Sequence, residues 1–162
     1  MLKKMHIYIV DQIMFLPILL VNWSLWIVSG YHKVFSIWTG KAWVAPEGWI
    51  PWLQNHFSKT IFVGFVEPLF FTLTFLQVVA GTLLTIAILK GEFFDGNSKV
   101  FFKAGLFFGA LAIACMSFGQ NLANDDEDVF QLASYLSTTM ISYIFILLYP
   151  AVIAKNKTKG IF

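Results

Sequence analysis

The chain has 162 residues, of which 58% are hydrophobic and only 12% charged, and its mean hydropathy is +0.73. An ordinary soluble domain carries about 25% charged residues, so this balance excludes one and points to a single membrane domain. The net charge of +2, held at the ends of apolar runs, excludes the basic face that nucleic-acid binding requires. With Cys115 alone, the chain forms no intramolecular disulfide and no Cys-x-x-Cys pair.

Four charge-free runs follow one another: Gln12 to Tyr31, Pro68 to Leu89, Ala104 to Asn124 and Val129 to Ala154. Each reaches the roughly 20 residues that cross a bilayer as helix, and none alternates as a membrane strand does. The expected fold is an all-α, integral membrane four-helix bundle, one domain over 1–162, with spans at about 8–31, 60–89, 100–120 and 129–154. The first run is too long for a cleavable signal core and lacks an Ala-x-Ala site, so it is expected to be retained.

In the first span Asp11, Asn22, Ser29 and Lys33 fall within roughly 40° of one another at about 100° per residue. They make one polar stripe, which ends at His32 and Lys33. The connection from Val34 to Lys59 carries Trp38, Trp43, Trp49 and Trp52 with Pro46 and Pro51. It is expected to lie at headgroup level and cap the outer face.

The second span carries Glu67, Thr74, Gly81 and Thr85 on a similar arc, and its Phe70 and Phe71 are expected to face lipid along with Phe107 and Phe108. The third holds Gly105 and Gly109, continued by Ala112, Met116 and Gly119, a small-residue seam for close helix packing. The link to the fourth is short and acidic, with Asp125, Asp126, Glu127 and Asp128 read as a solvated loop. The fourth places Gln131, Tyr135, Thr138 and Ser142 at helical spacing. Polar seams are expected to turn inward, because hydrocarbon cannot satisfy them.

All basic residues are Lys. Lys3, Lys4, Lys90, Lys99, Lys103, Lys155, Lys157 and Lys159 share one side of a four-span layout, against Lys33, Lys41 and Lys59. By the positive-inside rule both termini are cytoplasmic, and the expected location is a bacterial inner membrane.

One constellation carries chemistry. Glu67, the acid deepest in an apolar run, pairs with Lys33 in this reading, and His32, Gln131 and Tyr135 approach the same level. The candidate site is therefore Lys33, Glu67, His32, Tyr135 and Gln131, a set of donors and one carboxylate suited to a quinone headgroup or its protons. A Lys and Glu pair that only fixes helix register is the competing reading. His6, His32 and His56 stand at no i, i+4 spacing, so no metal or haem site is expected from this chain alone.

The segment Ser29-Gly30-Tyr31-His32-Lys33-Val34-Phe35, with Glu67 early in the next span and Gly81, Leu83 and Leu84 after it, resembles the DoxX/DoxD family of small four-span membrane proteins. The likeness runs mainly over residues 13 to 89. The chain departs from that pattern in lacking Arg, with Asp11 near the start of the first span, and in having Pro68, Phe70 and Phe71 after Glu67. The resemblance implies quinone-linked or sulfur redox chemistry, the best described members resembling a subunit of thiosulfate:quinone oxidoreductase. It carries over Gly30, Lys33 and Glu67 by position. The expected function is a quinone-associated membrane subunit acting with partner subunits; the alternative is a non-catalytic accessory subunit of a larger complex.

Overall fold

The computed structural model describes residues 15–94, 97–123 and 126–158, with side chains of 126–129 and 150–158 outside the description. Asp11, expected on the first polar stripe, therefore lies outside the described residues. All regular structure among them is helical: α1 (Leu16–Trp38), α2 (Trp49–His56), α3 (Val66–Leu89), α4 (Val100–Ala123) and α5 (Asp126–Thr158), with 3-10 turns at Lys41–Trp43 and Ile61–Phe65.

Local chemistry sets these boundaries. Pro17 stands in the first turn of α1, where its missing N–H costs nothing. The helix stops where Thr39 is followed by Gly40 at φ 72°, a left-handed residue that suits glycine. Thr60 accepts from the Phe62 N–H at 3.2 Å and opens the 3-10 turn before α3. Pro68, again in a first turn, fits an α-helix that starts at Val66.

The link from α3 to α4 is built as tightly as a core. Gly91, at φ 65°, lets the Glu92 N–H reach the Ala87 carbonyl at 2.9 Å and its own N–H reach Ile88 at 3.0 Å. The buried Glu92 carboxylate then accepts from the Phe101 and Phe102 N–H groups at 3.2 and 2.7 Å, capping α4. Lys99 donates to the Glu92 and Phe94 carbonyls, each at 2.8 Å. These residues terminate one helix and start the next.

The four long helices form a ring. α1 packs on α3, α3 on α4 and α4 on α5. α5 closes back on α1 through Asn22, which donates to Ser142 Oγ at 3.3 Å and accepts from Thr139 at 3.4 Å, and through Phe15 against Phe145 and Tyr149. Trp23 of α1 donates to Thr85 of α3 at 2.9 Å. The inward turn of polar seams holds at Asn22, Thr74, Gly81 and Ser142, all buried.

Trp26 occupies the centre, 2% exposed. A Cβ on Gly109 would stand 2.5 Å from its Nε1, and one on Gly81 3.2 Å from the Ile27 backbone nitrogen. A Cβ on Gly105 would stand 2.7 Å from Leu84 Cγ. The seam read from Gly105 and Gly109 is thus where α4 receives α1 and α3.

Some expectations are corrected. α1 runs through Val34 to Trp38, so the connection begins at Thr39 and holds a helix of its own. Asp126 to Asp128 belong to the first turn of α5 rather than to a loop, and Asp125 lies outside the described residues. Phe70 is buried at 1% exposure under Trp49, and Phe108 packs partly on the core, whereas Phe71 and Phe107 are exposed as expected.

Among the described residues, three helical segments are long and apolar enough to cross a membrane: Ile61–Leu89, Val100–Ala123 and Phe130–Tyr149. α1 has the length, at 23 residues, but Asn22, Ser24, His32 and Lys33 dilute its apolar character.

Replacing Gly109 by Val forces Trp26 out of its seat. Overpacking of this kind costs about 1–3 kcal/mol, whereas Gly64→Ala, at a position with nothing within 4 Å, is expected to be near neutral. Unfolding in mixed micelles measures both, and Trp26→Phe in the Gly109→Val background is expected to recover part of the loss.

Candidate functional site

At the end of the bundle that carries the Trp-rich connection, the ring encloses a cavity of about 590 Å³. α2 roofs it with Trp49, Trp52 and Leu53; α3 contributes Val66, Leu69, Phe70 and Leu73, and α4 contributes Met116, Gly119 and Gln120. Lys33 of α1 and Gln131 of α5 add polar groups to a mainly apolar wall. Beneath the roof lies a second core of Ala42, Ile50, Phe57, Val66 and Phe70, which binds the connection to the start of α3.

Side-chain contacts hold the roof in place. Trp49 stacks over Phe70 with ring centres 6.4 Å apart and meets Trp52 edge-on. Trp52 stacks on His56 at 5.1 Å, and His56 Nε2 shares a hydrogen bond with Gln120 Oε1, tying α2 to α4. The Lys33 ammonium sits 4.7 Å from the Trp49 ring centre and donates to Ser29 Oγ at 3.2 Å. A cation over an indole face in apolar surroundings is held by the ring quadrupole.

The five sequence-derived site residues separate into four places. Lys33 and Gln131 share the cavity. Tyr135, which accepts from Gln131 Nε2 at 3.0 Å, lines a second cleft of about 540 Å³ between α1 and α5, with Asn22, Ser29 and Thr138. His32 is exposed and lies edge-on to Tyr31. Glu67 is exposed in the first turn of α3 and accepts from Trp43 Nε1 at 3.2 Å.

The expected pairing of Lys33 with Glu67 is therefore corrected: each has a different partner. Because the α-helix starts at Val66 rather than near Thr60, Glu67 stands at the helix entrance and not a turn or two inside. The inward seam on α5 also holds only in part: Gln131, Tyr135 and Thr138 are exposed, Tyr135 and Thr138 lining the second cleft where α1 and α5 part, and Gln131 lining the cavity.

Trp49, Trp52, the His56 and Gln120 bond, and Cys115 on the cavity wall were not singled out as site residues. The clustered Trp of the connection was the available signal, read only as an interfacial belt. Among the described residues no group of three or more His, Cys, Asp and Glu gathers to hold a metal, so the site's polar chemistry is that of Lys33, Gln120 and Gln131. No family model, no curated protein and no solved structure matches the chain.

Gln120→Leu removes the side-chain acceptor that ties α2 to α4. A hydrogen bond worth about 1 kcal/mol corresponds to roughly fivefold in a local opening equilibrium. Backbone amides of Leu53 to Phe57 are expected to exchange about fivefold faster in the variant, while those of Ala80 to Leu84 stay unchanged; hydrogen exchange with mass spectrometry reads both.

Proposed function

We propose that the chain is a DoxX-like membrane subunit that crosses the bilayer four times, binds a quinone in the cavity beneath α2, and serves quinone-linked redox chemistry together with partner proteins. The observation that carries this reading is the cavity itself. Its volume of about 590 Å³ lies inside the roughly 300–1,000 Å³ of small-molecule sites, and its few polar groups stand against apolar and aromatic walls as such sites require.

The four-span part of the reading is supported by the way α1 completes the ring. Its polar groups turn to Ser142, Thr139 and Thr85, and its outward Leu20, Val21 and Val28 are apolar and exposed. In lipid that arrangement satisfies the inward groups and solvates the outward ones. The Lys distribution supports cytoplasmic termini, with the cavity then at the outer face, and is compatible with a bacterial inner membrane.

The donors in the cavity fit a quinone: the Lys33 ammonium and the Gln131 amide can meet ring oxygens, and Trp49, Trp52 and Phe70 supply aromatic faces. A bound quinone would supply electron acceptance. The protein's part is to orient the ring, exclude water and offer a proton donor at Lys33 Nζ.

The accessory-subunit reading draws on α5, whose apolar stretch is only 17% buried, against 39% and 33% for the other two candidate spans. A neighbouring subunit on the exposed face of α5 is compatible with a quinone site beneath α2, so partners belong to both readings.

Protein purified in mild detergent from quinone-containing membranes is expected to carry close to one extractable quinone per chain. Lys33→Ala is expected to lower that occupancy about tenfold, and Ser137→Ala, on the exposed side of α5, to leave it unchanged. Equal occupancy in Lys33→Ala and the unaltered protein, read by solvent extraction and mass spectrometry, contradicts the proposal.

A further inference from the structure

We infer that the cavity is filled sideways from the hydrocarbon: a ligand with an apolar tail passes between α3 and α4 at Thr72, Cys115 and Phe118 and seats a hydrogen-bond-accepting head at Lys33. The inference rests on the reading of the cavity as a quinone site and adds the route, the orientation and the residue that reads the head.

The wall is not uniform. The residues lining it from the outward sides of α3 and α4, Thr72, Ala114, Cys115, Phe118 and Leu122, are exposed as well as cavity-lining. A residue that faces both cavity and surroundings marks a portal. Trp49 and Trp52 of the roof are exposed as well, but contacts hold them in place, Trp49 on Phe70, Trp52 on His56, and His56 on Gln120. Across the α3 and α4 side the aromatic contact is the single edge-on pair of Phe62 and Phe118 at 6.4 Å.

Depth separates the two ends of the ligand. At 1.5 Å per residue, Lys33 lies about 8 Å from the end of α1 at Trp38, Gln131 about 8 Å from the start of α5, and Gln120 about 5 Å from the end of α4. Cys115 lies about 12 Å below the end of α4, and Leu73 about 10 Å below the start of α3. On the same scale Phe118 lies about 8 Å and Thr72 about 9 Å from their helix ends, so the portal runs from the level of the polar groups down to Cys115, and a head held at Lys33 leaves its tail toward the hydrocarbon. The Thr72 hydroxyl is already bonded to the Pro68 carbonyl at 2.8 Å, so it offers no competing donor at the portal.

Lys33 reads the head because its ammonium has donors to spare. It gives one to Ser29 Oγ and faces the Trp49 ring, and neither is a charged partner. An ammonium in apolar surroundings gains from a further acceptor, and a ring carbonyl at the cavity's shallow end supplies it.

Cys115, the sole cysteine of the chain, reports on the portal directly. In nanodiscs without quinone, an apolar maleimide is expected to alkylate Cys115 at least tenfold faster than a sulfonated, membrane-impermeant one. Adding a long-tailed quinone is expected to slow the apolar reagent at least fivefold, with this protection kept in Lys33→Gln, which retains a donor, and lost in Lys33→Met. Cys115→Ser gives the background of the assay. Equal rates for the two reagents, or full quinone occupancy with no protection of Cys115, overturns the lateral route while leaving the quinone site standing. Protection that survives in Lys33→Met overturns the role given to Lys33. Absence of quinone binding in any form of the protein overturns the site and the route together.

Discussion

The bundle depends on one close fit, the Trp26 indole against Gly109. Trp26 is the largest fully buried side chain, and it reaches the middle of the ring only because α4 presents no Cβ at that point. Gly81 brings α3 against the backbone of α1 at the same level, and Gly105 receives Leu84 of α3. In a bilayer, water expulsion does little to hold helices together, so association rests on such contacts and on a few interhelical hydrogen bonds. Asn22 with Ser142 and Thr139, and Trp23 with Thr85, are those bonds here.

The fit at the centre accounts for the looseness at one end. With α1 drawn onto α3 and α4, the four helices are tight near Trp26, and at the far side the knitted link of Gly91, Glu92 and Lys99 keeps α3 and α4 together. Toward the Trp-rich connection a cleft opens between α1 and α5, and the connection folds over the opening as α2. The cavity is the space left between a closed centre and a roof of aromatic side chains, which is why its polar groups, Lys33, Gln120 and Gln131, come from three different helices and its walls are apolar.

Much of this was legible in the sequence, because hydropathy and helical spacing are local signals. Runs of twenty apolar residues gave the helices, and the spacing of Gly105 and Gly109 gave the packing seam. The polar arcs that hold Asn22 on α1, Thr74 and Gly81 on α3, and Ser142 on α5 marked the inward faces. What escaped was set by geometry that spacing does not encode. Glu67 was read as an embedded acid, but the 3-10 turn before Val66 moves it to the helix entrance and Trp43 takes its carboxylate. Gln131, Tyr135 and Thr138 share a face with Ser142, yet all three are exposed, Tyr135 and Thr138 where α1 and α5 part. His56 and Gln120 stand 64 positions apart, and no periodic pattern joins them. Lys33 was found for the right neighbourhood with the wrong partner.

The proposal turns on α1, the long helix whose polar content keeps it from reading as a span on hydropathy alone. The most direct test is the depth of nitroxide labels placed one at a time from Leu20 to Phe35, in a Cys115→Ser background in liposomes, measured by the ratio of collision rates with oxygen and with a polar nickel chelate. A spanning α1 predicts that ratio to rise to a single maximum near Ser24 to Val28 and fall on both sides, with a superimposed helical period in which Asn22 and Trp26 sites are protected from both probes. A flat, shallow profile along the whole helix would place α1 on the membrane surface and contradict the four-span bundle on which the cavity depends.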